Sequence, residues 1–375
     1  MKKICVFYTN YLIADFLLLI SLILLSVFFI SSCSINDNSF DNKITAREIT
    51  ANIDTFTFWN KSSIYIIKKS DFSVNDTLII QSGTLIKFNS DSARSITVSE
   101  NGIIIAQGTI DEHIIFTSLY DNKYSLANIS NNTSKSPNTG DWNSININSN
   151  KNSVFNLCEF YYGGGGEGKS TIIMGSESSA SFTYCTFINN DGGNLEAGNG
   201  VIDASQASSK TAIRFNTFYS NNLPIAINTS VSIDSSNSFH NPKNSLEINK
   251  YNCILVKTDL PVNSSIAWTE NEVAYAIGGP NLIIVPEASI LFGNNVTIKF
   301  LKNTKMIIEG ANSTLRNYDG PGVTFTSIFD DNHKGDSNGD GSSTHPQNGD
   351  WSLSVNDTAT IEWGNFYYYA ILMNK

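Results

Sequence analysis

From about residue 55 onward the apolar residues fall in short strand-like stretches, and no segment keeps a helical period. A small motif recurs among them. Cys158-Glu159-Phe160, Cys185-Thr186-Phe187, Asn216-Thr217-Phe218 and Asn237-Ser238-Phe239 share the pattern Cys/Asn-x-Phe, at spacings of 27, 31 and 21 residues. Asparagine often follows, as in Asn189-Asn190 and Asn221-Asn222. A motif returning every 20–30 residues with strand-like neighbours predicts a β-solenoid. In such a coil alternate residues point inward and stack on their equivalents one coil away, so the four Phe predict a buried aromatic ladder. The Cys/Asn two residues earlier point the same way, and the Asn after the ladder read as stacked turn residues.

A longer period encloses the short one. Phe116-Thr117-Ser118 recurs as Phe325-Thr326-Ser327, and Gly140-Asp141-Trp142 as Gly349-Asp350-Trp351, both at an offset of 209. Leu78–Phe88 aligns with Leu282–Phe292 at an offset of 204, and Trp59 has a looser echo in Trp268. The chain therefore reads as one module over 55–260 and a partial second copy over 261–375. That copy ends before three further Cys/Asn-x-Phe coils, as a truncated chain would. About 25 residues per coil predicts roughly thirteen coils and a rod of about 60 Å.

The start of the chain is different in kind. Met1-Lys2-Lys3 is basic, and Phe16–Ile30 holds no charge. Fifteen residues are too few for a spanning helix and suit a signal-peptide core. Ile30-Ser31-Ser32-Cys33 resembles the lipobox of bacterial lipoproteins. The resemblance implies a signal peptide over 1–32, cleavage before Cys33, and lipidation (palmitate) of Cys33. Residues 33–54, polar and rich in Asn, Asp and Ser, read as a tether. The expected location is the bacterial cell envelope, at the outer membrane or cell surface.

The coil motifs resemble the right-handed parallel β-helix, pectin-lyase-like superfamily. The residues that carry this are Leu78–Phe88, Ile105-Ala106-Gln107-Gly108-Thr109, Ile115–Ser118, Gly140-Asp141-Trp142 and Phe160-Tyr161-Tyr162-Gly163-Gly164. The resemblance covers nearly everything after residue 55 and implies an all-β fold, a right-handed parallel β-helix (single-stranded β-solenoid). The second copy departs from the pattern at Gly310-Ala311-Asn312, where the first has Gly108-Thr109. β-Helices host lyases, hydrolases, adhesins and passive stalks, so the resemblance bears weakly on activity.

Composition narrows the function. Charged residues are 15% of 375, the net charge is -10, and 47 residues are Asn. An acidic chain with few Lys and Arg excludes a dedicated nucleic-acid binder. Three cysteines beyond Cys33 without C-x-x-C spacing predict neither a zinc knuckle nor a disulfide framework. The Asn-Thr-Asp, Gly-His-Gly and Arg-Ile-Lys strings of polygalacturonase relatives are absent, and His113, His240, His333 and His345 are scattered. No catalytic residue is expected. Asp336, Asn338 and Asp340 form D-x-N-x-D-G, whose alternate oxygens can converge on a hard cation and nominate a structural Ca2+. Gln347 stands where an EF-hand places its bidentate Glu, so the motif is only a half-loop. Gly163–Gly166 reads as a turn, and Trp142 and Trp351 as packing residues. The outward Tyr of Phe160-Tyr161-Tyr162 and Phe366–Tyr369 are expected to pack within strands before they would stack on sugars. The expectation is a non-enzymatic surface scaffold or adhesin-like protein, its partners the membrane and surface glycans or host cell-surface proteins. The alternative is a polysaccharide lyase or glycoside hydrolase. The loops 119–139 and 328–348 are the segments it would present.

Overall fold

The structure, a computed structural model, describes residues 44–89, 94–124, 135–310, 313–355 and 365–371. Cys33 and the expected signal peptide lie outside the described residues. The fold is all-β, built from stacked parallel strands. Seven strands form one sheet, from Thr45–Ile49 through Leu85–Phe88, Ile114–Ser118 and Cys158–Tyr161 to Thr217–Tyr219. A second, of ten, runs from Asp71–Val74 through Cys253–Lys257 and Ala274–Gly278 to Thr324–Ser327. A third, of six, starts at Thr57–Trp59 and ends at Ala212–Arg214. Two smaller parallel sheets continue the stack beyond residue 260. Within the segment read as a tether, Thr45–Ile49 pairs with Ser63–Ile67 and Ile53 is buried.

The aromatic ladder is present. Phe116, Phe160, Phe187, Phe218 and Phe239 are buried and stack in succession at 4.9, 4.7, 4.8 and 5.7 Å between centroids. Two polar ladders flank it. Asn216 Nδ2 donates to Phe182 O at 2.9 Å, while its Oδ1 accepts from Cys185 N at 2.9 Å. Asn237 repeats this one coil on, accepting from Asn216 N at 3.1 Å. Cys158 and Cys185 hold the same places with thiol contacts to Ala106 O and Phe155 O at 3.5 and 3.4 Å. On the other side, Asn221 Oδ1 accepts from Asn190 N and Asn249 Oδ1 from Asn221 N. A turn leaves one amide and one carbonyl unpaired per coil, and a buried Asn satisfies both. Five of the 47 Asn (Asn190, Asn216, Asn221, Asn237 and Asn249) serve in this way. Leu157, Tyr184 and Phe215, each one residue before a ladder Cys or Asn, take φ of 49, 54 and 58° to make the turn.

The longest sheet among the described residues has ten strands, about 43 Å at ~4.8 Å per strand, and single parallel bridges from Ile53 to Val74 and from Phe325 to Phe366 extend the stack by one level at each end. Long loops, and the antiparallel hairpin of His240–Asn241 with Asn244–Ile248, use chain without adding a coil. The hairpin lies beside Thr217–Tyr219, and the seven-stranded sheet ends there. The ten-stranded sheet continues across residue 260.

Candidate functional site

The two long loops are fastened by the same side chains. In the first, Thr117 Oγ1 donates to Asp121 Oδ2 at 2.7 Å and Ser118 Oγ to Asp141 Oδ2 at 2.5 Å. Trp142 Nε1 donates to Tyr161 O at 2.8 Å, and its ring stacks on Phe88 at 4.1 Å. In the second, Thr326 Oγ1 donates to Asp330 Oδ2 at 2.6 Å and Ser327 Oγ to Asp350 Oδ2 at 2.7 Å. Trp351 Nε1 donates to Tyr367 O at 2.9 Å and its ring stacks on Phe300 at 4.0 Å. The F-T-S and G-D-W strings are thus the two ends of a loop staple. A buried lysine completes each: Lys87 Nζ donates to Asp121 O at 2.8 Å, Lys299 Nζ to Gly335 O at 2.6 Å. Burial pushes both ammonium pKa values down, and nearby acidic groups pull them back.

These contacts correct one alignment. The counterpart of Ile86-Lys87-Phe88 is Ile298-Lys299-Phe300, an offset of 212, and not the segment ending at Phe292. Lys87 and Phe88 stand in the seven-stranded sheet, Lys299 and Phe300 in the ten-stranded one. The second copy is therefore turned by one face relative to the first.

The second loop folds back across the outer face of the ten-stranded sheet. Ile328 is buried there with Leu223, Ala226, Cys253, Leu255 and Ala276. Cys253 Sγ lies 3.7 Å from Ser337 O, and burial raises this thiol to about 12, so it stays protonated. For Asp330, burial would raise the carboxyl, but Thr326 and His333 hydrogen bonds hold it below the usual range. A groove of about 500 Å³ opens between this loop and the turn at Leu195. Leu195, Tyr251 and Phe329 give it apolar walls, and Glu196, Lys302 and Asn338 give it polar groups. These come from coils up to 144 residues apart (Asn194 to Asn338), so spacing along the chain carries no signal for them.

Asp336, Asn338 and Asp340 all fall in this loop. Both oxygens of Asp336 are occupied by backbone, accepting from Gly339 N at 2.7 Å, Asp340 N at 3.3 Å and Gly341 N at 2.7 Å. Asn338 Nδ2 donates to Asp340 Oδ2 at 2.9 Å. Asn338 Oδ1, Asp340 Oδ1 and Asp331 Oδ1 are buried without a hydrogen-bond partner. Burial, then repulsion from Asp336, raises the Asp331 carboxyl. Among the described residues, no three His, Cys, Asp or Glu side chains are grouped to hold a metal.

A titratable cluster that the sequence does not announce lies on the seven-stranded sheet. His113 Nδ1 is 2.6 Å from Glu159 Oε1; Tyr124 OH donates to Glu159 Oε2 at 3.0 Å, and Tyr161 OH donates to the same oxygen. Burial and the Glu159 charge push the Tyr161 phenol far up. Burial opposes it, but the Tyr161, His113 and Tyr124 hydrogen bonds hold Glu159 below the usual carboxylate range. Tyr161 is 7% exposed and so offers no face to a sugar.

Comparison with protein-family models, with curated proteins and with solved structures finds no match to this chain.

Proposed function

We propose that the chain is a lipid-anchored bacterial cell-envelope protein, a right-handed pectin-lyase-like β-helix acting as a non-enzymatic scaffold with adhesin-like binding. The observation that carries this reading is the duplicated staple. Thr, Ser, Asp, Trp and Lys recur in the same roles to pin two long loops on a stack of coils. Pinning both ends of a loop keeps its ordering cost within the fold, so a partner meets a preorganised surface. The groove between the second loop and Leu195 is the binding place this reading favours. A structural Ca2+ on Asp336, Asn338 and Asp340 belongs to the same proposal, supported by the unpartnered Asn338 and Asp340 oxygens.

The second reading, a polysaccharide lyase or hydrolase, would place its chemistry on the Glu159, His113, Tyr124 and Tyr161 cluster. General acid–base work is fastest with groups poised near the operating pH. Here the phenol is pushed up and the carboxylate down, which suits a hydrogen-bonded lock better than a proton shuttle. A glycan array read both for retained protein and for released product separates the two. Retention without product supports the scaffold, and product that disappears in E159Q supports the enzyme. For the anchor, C33A should lose palmitate incorporation and leave the membrane fraction.

A further inference from the structure

The six-stranded sheet carries an apolar column on its outer face that the core does not use. Strand registers place Phe58 beside Ile79, Ile79 beside Ile105, and Ile105 beside Val154. Their chain neighbours Trp59, Ile80, Ala106 and Phe155 point inward and are buried, so the column points out by the two-residue alternation. Phe58 is 50% exposed and Phe56, two residues earlier, 62%. Ile79, Ile105 and Val154 are partly exposed. On the ten-stranded sheet the matching outward positions are Ser73, Thr97 and Asn146. The six-stranded face of the first four coils is therefore apolar over about 14 Å, and the matching ten-stranded face is polar.

The column has a direction. It is most exposed at the first coil and gives way to Ser181 and Ala212 farther along. Beside its start Lys61 pairs with Glu112, and Asp54 accepts from Asn75 Nδ2 at 2.7 Å. The apolar end is also the end the chain enters from Cys33. Ten residues separate Cys33 from Ile44, enough to span about 35 Å when extended.

We propose that this face lies on the lipid bilayer to which the chain is anchored, with Phe56 and Phe58 in the interface. The proposal rests on the anchored reading for the occupant it names. Exposed apolar faces of this kind mark interaction sites, and aromatic rings settle at the headgroup boundary. Contact of this face lays the rod along the membrane and turns the ten-stranded sheet, with its loops, to one side.

The test uses the full chain in phosphatidylcholine vesicles, with and without bromine-labelled acyl chains. F58W reports on the face, and L246W, at a position 88% exposed on the hairpin, is the reference. Bromolipid should reduce the fluorescence of F58W beyond that of the parent and leave the added signal of L246W unchanged. Equal quenching of the two variants in chain that floats with the vesicles overturns the proposal. So does F58W shielded from iodide before lipid is added, which would show a second copy or residues 1–43 on the face. Flotation of parent against C33A reads the anchor separately. A chain that does not float overturns the anchored reading, whereas F58W quenched on added vesicles would still support the face.

Discussion

Replacing Glu270 by Gln should abolish a pH dependence of stability built into the junction between the two copies. Glu270 is fully buried, and its Oε1 accepts from Asn271 N at 2.8 Å and Glu272 N at 2.6 Å. Its Oε2 has no partner. The residue is held in place because its own N–H donates to Tyr275 OH at 3.0 Å, and that hydroxyl donates to Ile233 O at 2.9 Å. Burial pushes the carboxyl up to about 7; the two amides oppose this, and Glu272 and Asp234 add to it. In the unfolded chain the group ionises near its ordinary value of 4.5. Between those values the folded state holds a proton that the unfolded state has released. Stability from this group is complete below pH 4.5, declines as pH rises to 7, and is lost above that. A shift of this size corresponds to about 3 kcal/mol. With about 0.7 kcal/mol per degree of unfolding entropy for a chain this long, the melting temperature moves by roughly 5 °C. Gln keeps the acceptor at Oε1 and carries no charge, so it imitates the protonated acid. Thermal unfolding followed by circular dichroism at pH 5 and pH 8 should give similar midpoints for both proteins at pH 5. At pH 8 E270Q should melt higher. The difference between proteins removes the contribution of groups that do not interact with Glu270. Parallel pH profiles, or a less stable E270Q at pH 8, would refute the reasoning.

Other consequences can be checked in the same way. N221L removes the acceptor of Asn190 N and the donor to Phe187 O, and should cost about 3 kcal/mol in urea unfolding; a cost below about 1 kcal/mol would mean the ladder is not a stabilising element. D350A frees Ser327 Oγ and Gln347 N, so limited proteolysis should cut between 330 and 349 faster while the coils stay resistant. A cleavage pattern like the parent's would show that the staple does not hold the loop. Ca2+ in the 10⁻⁴–10⁻³ M range should raise the melting temperature of the parent and not of D340A; superimposable curves with and without Ca2+ would remove the ion from the proposal.

The ladder was legible because it is local. Four of its five Phe sit two residues after a Cys or Asn (Phe116 follows Ile114), and alternation alone sends both inward. Asn190 and Asn221 follow their Phe by three residues, but Asn249, in the same ladder, follows Phe239 by ten, with the hairpin between them. The chain pattern contains no sign of that detour. The staples were half legible. F-T-S and G-D-W stand out as repeats, whereas the bonds joining them close only when the loop returns to its coil. Glu159 with His113 and the walls of the groove meet across coils, where chain spacing is uninformative.

By itself the sequence determined an all-β chain of stacked coils, its inward residues, and the duplication that repeats the loops. Those follow from alternation, turn chemistry and near-identical strings, which act over a few residues. Only the tertiary structure decided that the second copy is turned by one face, placing Lys299 in a different sheet from Lys87. It also decided that the Asp336 carboxylate closes its own turn, and that an apolar column is left outside the core. The reason is that stacking fixes which coil lies next to which, while the rotation between copies depends on how much chain the loops and hairpin use between strands.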